Sequence, residues 1–147
     1  ILLKPGPLES SEFEVMKKHG AIGTQIICAA AWRQMASSMD DSMFELIELP
    51  IMQMAAVIAE THHEKWDGTD YPKGLKGEAI PAEGRIVAVA DVYDALSNER
   101  PYKAAFPIEK CFEIIKQGRG AHLDPRVVDA FFATSDEIQR IQQEFSD

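Results

Sequence analysis

AEGRIVAVADVYDALSNERPY, residues 82–102, shows no strand-like alternation, and from Ile86 to Ala90 it is apolar on every side of a helix. That pattern predicts a central, buried helix. Asp91 and Asp94 lie inside it, three apart and so on one face. Two unpaired carboxylates in an apolar setting would cost several kcal/mol each, so something positive must face them. Arg85, Arg100 or Lys103 could do so as ion-pair partners, and so could a divalent metal, which accepts carboxylate oxygen together with imidazole nitrogen.

Outward from this helix, the whole chain reads as helical. Downstream, FPIEKCFEIIKQGRG predicts a helix from near Pro107 to Gly118, and LDPRVVDAFF one capped by Asp124 with Pro125 at its first position. A last segment is amphipathic through Ile138, Ile141 and Phe145 and is most simply a solvated helix face. Upstream, Ser11 and Glu14 suggest a capping box, followed by Phe13, Met16, Ile26, Ile27 and Ala30 near helical period. His19, three residues after Met16, shares that inward face. Gly20 and Gly23 would allow another backbone or side chain to approach closely. A polar bend at SSMDDS precedes a further helical pattern that Pro50 divides; from there its stripe is Ile51, Met54, Ala55 and Ile58, reaching His62 at the same spacing. Residues 67–81 carry Gly68, Gly74, Gly77, Pro72 and Pro81 without helical period, and read as a long ordered loop able to contact a ligand. With no strand pattern anywhere, the fold class is all-α, a single domain over residues 1–147.

The composition fits a packed domain: 147 residues, 46% hydrophobic and 27% charged. A formal net charge of −9 argues against non-specific DNA or RNA binding, which Lys and Arg drive by counterion release. Cys28 and Cys111 read as buried free thiols in a reducing cytoplasm. No apolar run approaches the roughly 20 residues of a membrane span, and no secretory leader is evident, so no membrane contact is expected from this segment. The start, ILLKPGPL, lacks a Met and looks cut from something longer. Trp32 and Trp66 read as packing residues.

Two of the four histidines, His62 and His63, are adjacent at the end of a predicted helix. Neighbours on a helix point about 100° apart, so the pair suits two neighbouring ions better than one. Alternatively, His62 is a satisfied core histidine and His63 an exposed one. His19, His62, His63, Asp91 and Asp94 together send metal-ligating atom types from separate helices toward one centre. A multinuclear site of this composition activates water and clamps phosphate-ester oxygens for in-line displacement.

The run from His62 to Tyr102, HHEKWDGTDYPKGLKGEAIPAEGRIVAVADVYDALSNERPY, resembles the HD-GYP family, bacterial HD-domain phosphohydrolases that hydrolyse cyclic di-GMP. The family pattern is His-His-Glu, two variable residues, Asp-Gly, one variable residue and Gly-Tyr-Pro, then the Ala-Asp-x-x-Asp-Ala helix and an Arg-Pro-Tyr turn. LLKPGPLESSEFEVMKKHGAIG is similar to the segment downstream of the family's His-Asp motif. The resemblance implies an HD-domain-like helical bundle whose N-terminal helices lie upstream of Ile1. It implies His19, His62, His63 and Asp91 as metal ligands and Asp94 as a catalytic acidic residue at the edge of the centre. Tyr71 and Pro72, with Lys73, Lys76 and Arg100 as phosphate contacts, would meet substrate.

The same resemblance implies two or three divalent ions, iron or manganese ahead of zinc. It also implies a cyclic dinucleotide as substrate, a signalling partner at the Asp70-Tyr71-Pro72 loop, a possible homodimer and a cytoplasmic location. Two departures stand out. Asp70 replaces the glycine of Gly-Tyr-Pro, which would strain a position needing positive φ and adds negative charge. The His-Asp pair falls outside these residues, so this stretch alone is expected to be inactive. A non-catalytic nucleotide-sensing or protein-interaction module, and a phosphohydrolase of another nucleotide, are the competing expectations.

Overall fold

The computed structural model describes residues 1, 4, 6–27, 50–100 and 103–144. Within these, α1 is Ser10–Met16, α2 Lys18–Ile27, α3 Pro50–Thr61, α4 Ala82–Ser97, α5 Ile108–Gly118, α6 Pro125–Ala133 and α7 Ser135–Glu144. A 3₁₀ turn occupies Gly77–Ala79, and the extended pairing consists of the isolated bridges Arg100–Lys103 and Arg119–Leu123. The all-α expectation holds. Cys28, Ala30, Trp32, the SSMDDS bend, Phe145 and the Pro101-Tyr102 turn lie outside the described residues.

Several helix ends follow the local chemistry read from the chain. Asp124 caps α6, accepting from the Arg126 N–H at 2.8 Å ahead of Pro125, and α5 runs from Ile108 to Gly118 as predicted. The first cap needs correction. Helix α1 begins at Ser10, and its capping box pairs Glu9 with Glu12, whose carboxylate accepts the Glu9 N–H at 2.8 Å. Lys4 also binds the Glu12 carboxylate at 2.6 Å, giving that pairing an advantage over Ser11 with Glu14.

The core is built on one side of α4. Ala88 and Val89 pack with Ile115 of α5, with Leu123 just before α6 and with Val128 of α6, and around them stand Val92, Tyr93, Leu96, Phe131 and Phe132. Phe112, Phe131 and Phe132 meet edge-to-face at 5.5–5.7 Å, and Tyr93 reaches over them to Gln142 of α7 at 2.6 Å. Cys111 is a buried free thiol, as expected.

The expectation that α4 is buried on every side is overturned. Ile86 is 57% exposed, and Ala90, Asp91 and Asp94 are exposed on the same stripe. Helices α3, α5 and α6 pack on the other faces of α4, so the two aspartates continue an outward stripe rather than entering the core. Ile86, Val89, Ala90 and Tyr93 instead form one wall of a cleft of about 1270 Å³, with Val127, Phe131 and Ile138 across from them. Of the site residues read from the sequence, that cleft takes in Asp94 alone. The inward stripe of α3 is likewise shifted: Ile51 and Met54 are 68% and 46% exposed, while Ala55 and Ile58 are half-buried.

Helices α2 and α3 form the second packed pair and carry the histidines. Thr24 ties them, its hydroxyl donating to Ala56 O at 3.2 Å. Gly20 is the point of closest approach: a Cβ there would lie 2.7 Å from the Ala59 carbonyl oxygen. Backbone cannot swing aside as a side chain can. Gly20→Ala should therefore separate α2 from α3, with a net loss of about 1–2 kcal/mol after the gain in helix propensity. Chemical denaturation checks this; an unchanged or raised midpoint would contradict the close packing.

Candidate metal centre

His19 comes from α2, while His62 and His63 follow the last turn of α3. One ligand nitrogen from each lies within 4.8 Å of the other two. The tautomers of His19 and His62 follow from their partners. Each Nδ1 sits against a backbone carbonyl, Met16 O at 2.7 Å and Ile58 O at 2.8 Å. A carbonyl only accepts, so each Nδ1 donates its proton there, which turns both Nε2 atoms toward the centre. His63 Nε2 is 2.8 Å from His19 Nε2. This backbone-anchored, convergent donor set fits a divalent metal.

The two neighbouring histidines do not diverge as ideal helix geometry suggests. Their ring centroids are 4.1 Å apart with a 41° tilt. The reason is local: α3 ends at Thr61, so His62 and His63 occupy the turn after it rather than two helical positions. His19 is exposed rather than inward, yet it reaches His63 because Gly20 brings α2 close to α3.

Burial, with the neighbouring imidazoles of His62 and His19, pushes His63 down from 6.5 to about 4; Asp91 and Asp70 act in the opposite direction. A ring neutral at pH 7 is the ligating form. Burial also lowers His122. The consequence for stability has a definite sign. Between about 6.5 and about 4 the unfolded chain takes up protons that native His63 refuses, so the metal-free chain loses stability as pH falls through that window and is level above it. Melting in chelator should show this slope, shallower in His63→Gln. An equal slope in both would contradict the assignment.

Asp91 is exposed and lies outside the three-histidine group, although it acts electrostatically on His63. Asp94 is exposed and engaged: Arg100 binds its carboxylate at 2.7 Å and the Asn98 amide at 2.8 Å. Of the ion-pair partners weighed from sequence, Arg100 thus takes Asp94. Arg85 goes to Asp124 at 2.6 Å, and Lys103 donates to the Ala95 and Leu96 carbonyls at the end of α4. Lys73 is paired with Glu60 at 2.9 Å, and Lys76 has no ion pair among the described residues.

Tyr71 stands at the centre's mouth. Its ring lies 5.0 Å from that of His63 at 31°, with Phe13 edge-on at 6.1 Å, and the Tyr71–Pro72 peptide is cis. The loop holding it turns at Gly68 and Gly74, with φ of +80° and +66°. The strain expected at Asp70 is absent, since among the described residues no side-chain-bearing residue has positive φ. Its charge is met by Lys65 at 2.8 Å, and its Oδ1 accepts the Tyr71 N–H at 3.0 Å.

Two residues escaped the sequence reading. Glu64 is 2% exposed, and its carboxylate accepts from two loop amides, Lys73 N–H at 2.7 Å and Leu75 N–H at 3.0 Å. His122, next to the α6 cap, receives the Trp66 N–H on its carbonyl at 2.9 Å and feels the charges of Lys65, Asp70, Asp67 and Asp91. The signal for His122 was present: it is the remaining histidine of four, in the GRGAHLDP turn.

The HD domain family model matches residues 28–127. Over all 147 residues the chain is 48% identical to a cyclic di-GMP phosphodiesterase of Vibrio cholerae, covering 27% of that protein. It is 44% identical to a cyclic di-GMP phosphodiesterase of Thermotoga maritima, covering 35%, and 37% identical to 3'3'-cGAMP-specific phosphodiesterase 2 of Vibrio cholerae, covering 25%. The chain spans about a third or less of the length of these relatives. Among the described residues no helix is long and apolar enough to cross a membrane.

Proposed function

The chain belongs to the HD domain family, and from that premise we propose that the full-length protein is a metal-dependent phosphodiesterase that cleaves cyclic di-GMP in bacterial signalling, in the cytoplasm. The observation that carries this reading is the convergence of the His19, His62 and His63 nitrogens, two of them with their tautomer set by backbone carbonyls. The names of the similar proteins from Vibrio cholerae and Thermotoga maritima support the substrate class.

His19, His62, His63 and Asp91 would hold two or three divalent ions, iron or manganese ahead of zinc. Such ions supply Lewis-acid activation of water and neutralise charge at phosphorus. The chain's own contributions are separate. Carbonyl anchors fix the rings of His19 and His62, and the low pKa of His63 keeps its ring neutral at pH 7. Tyr71 and Pro72 shape the mouth of the site. Lys76, without an ion pair among the described residues, is the readiest phosphate contact; Lys73 and Arg100 must exchange Glu60 and Asp94 for phosphate oxygens. Asp94 in this reading holds Arg100 in place until substrate arrives.

The test is turnover by the full-length protein of cyclic di-GMP and of 3'3'-cGAMP, with products separated chromatographically. The expected result is chelator-sensitive hydrolysis with cyclic di-GMP preferred. Protein carrying its full metal complement that binds cyclic di-GMP and hydrolyses neither nucleotide would replace this reading with a sensing module.

A further inference from the structure

Glu64 follows the two site histidines directly, yet its side chain turns away from them and under the 67–76 loop. A carboxylate removed from water is unfavourable unless its oxygens are bonded. Each Glu64 oxygen has one partner, the Lys73 N–H on Oε1 and the Leu75 N–H on Oε2, and no Lys or Arg pairs with it among the described residues. These two amides flank Gly74 and lie just beyond Tyr71 and Pro72. Glu64 therefore ties the loop to the very turn that carries His62 and His63. Lys73 is held at both ends by acids, its N–H by Glu64 and its ammonium by Glu60 at 2.9 Å.

We infer that Glu64 is a positioning residue for the substrate: by binding the two loop amides it sets Tyr71 against the His63 ring and fixes Lys73 at the mouth of the metal centre. This rests on the proposed phosphodiesterase reading for its kinetic consequence, but not for the clamp itself. Its role is to place the loop groups that meet the nucleotide, leaving the metal ligands to their own backbone anchors. A carboxylate is required because two N–H donors need two acceptors. Glutamine offers one oxygen and turns an NH₂ against the second amide.

Glu64→Gln in the full-length protein separates these roles. Amide exchange at Lys73 and Leu75 should accelerate by about tenfold or more, as expected when a local tie to a charged acceptor is lost. Bound metal should be retained, and KM for cyclic di-GMP should rise by about tenfold or more while kcat falls less. Unchanged exchange at both amides would overturn the clamp. A loss of metal and kcat with unchanged KM would also overturn the inference, because Glu64 would then support the histidines instead of the loop. Should Glu64→Gln not fold, Tyr71→Ala decides: it must raise KM with the Lys73 and Leu75 amides still protected, and an unchanged KM sinks the positioning role. Wild-type protein inert toward every cyclic dinucleotide would defeat the phosphodiesterase reading alone, since the exchange measurement still tests the clamp.

Discussion

His63→Ala in the full-length protein should cost most of the bound metal and lower kcat/KM for cyclic di-GMP by more than about 10³-fold, beyond the 10–100-fold typical of an outer partner. The reason is position. His63 Nε2 meets His19 Nε2 at 2.8 Å, while its ring packs against His62 at 4.1 Å and Tyr71 at 5.0 Å. Among the described residues, His63 is the side chain that meets both other histidines and the loop tyrosine. Its depressed pKa also keeps the ring neutral at neutral pH, so an incoming cation meets no imidazolium there. Elemental analysis of purified protein, together with steady-state kinetics, checks both parts. A variant retaining full metal and activity would remove His63 from the centre.

Asp124→Ala should have the largest effect on stability, a loss of about 3–5 kcal/mol. Its side chain is 1% exposed and binds Arg85, itself 12% exposed, at 2.6 Å. Arg85 also lies over the Trp66 ring at 5.8 Å, and its Nε has no hydrogen-bond partner among the described residues. Removing Asp124 strands a guanidinium that already lacks one bond, and it also deletes the cap of α6, worth about 1 kcal/mol. Asp124→Asn keeps a cap acceptor, so Arg85→Met combined with Asp124→Asn should recover much of the loss. Urea denaturation of the three variants measures it. A loss below about 1 kcal/mol for Asp124→Ala would show that solvent reaches the pair.

The helices were legible where local chemistry sets them. Asp124-Pro125 announced α6, and the spacing around Pro107 and Gly118 announced α5. Burial was less so. Ile86 to Ala90 reads as apolar all round, yet Ile86 and Ala90 stand exposed while α3, α5 and α6 pack on the other faces of α4, and a sequence does not say which faces those are. For the same reason Asp91 and Asp94 were placed inside and stand outside. The histidines of the candidate centre were visible as atom types, and Gly20 hinted at the close approach that brings His19 to them. Glu64 was hidden because its partners are backbone amides nine and eleven residues away, which leave no side-chain signature. Asp70 looked strained because a glycine was expected there; its φ stays negative, and Lys65 answers its charge.

Anomalous diffraction at the metal edge, on crystals of the full-length protein, tests the central claim most directly. The account predicts a peak about 2.0–2.2 Å from an Nε2 atom of the His19, His62 and His63 group, with the Nδ1 atoms of His19 and His62 still on the Met16 and Ile58 carbonyls. Metal bound elsewhere, with these three imidazoles free of it, would contradict the account.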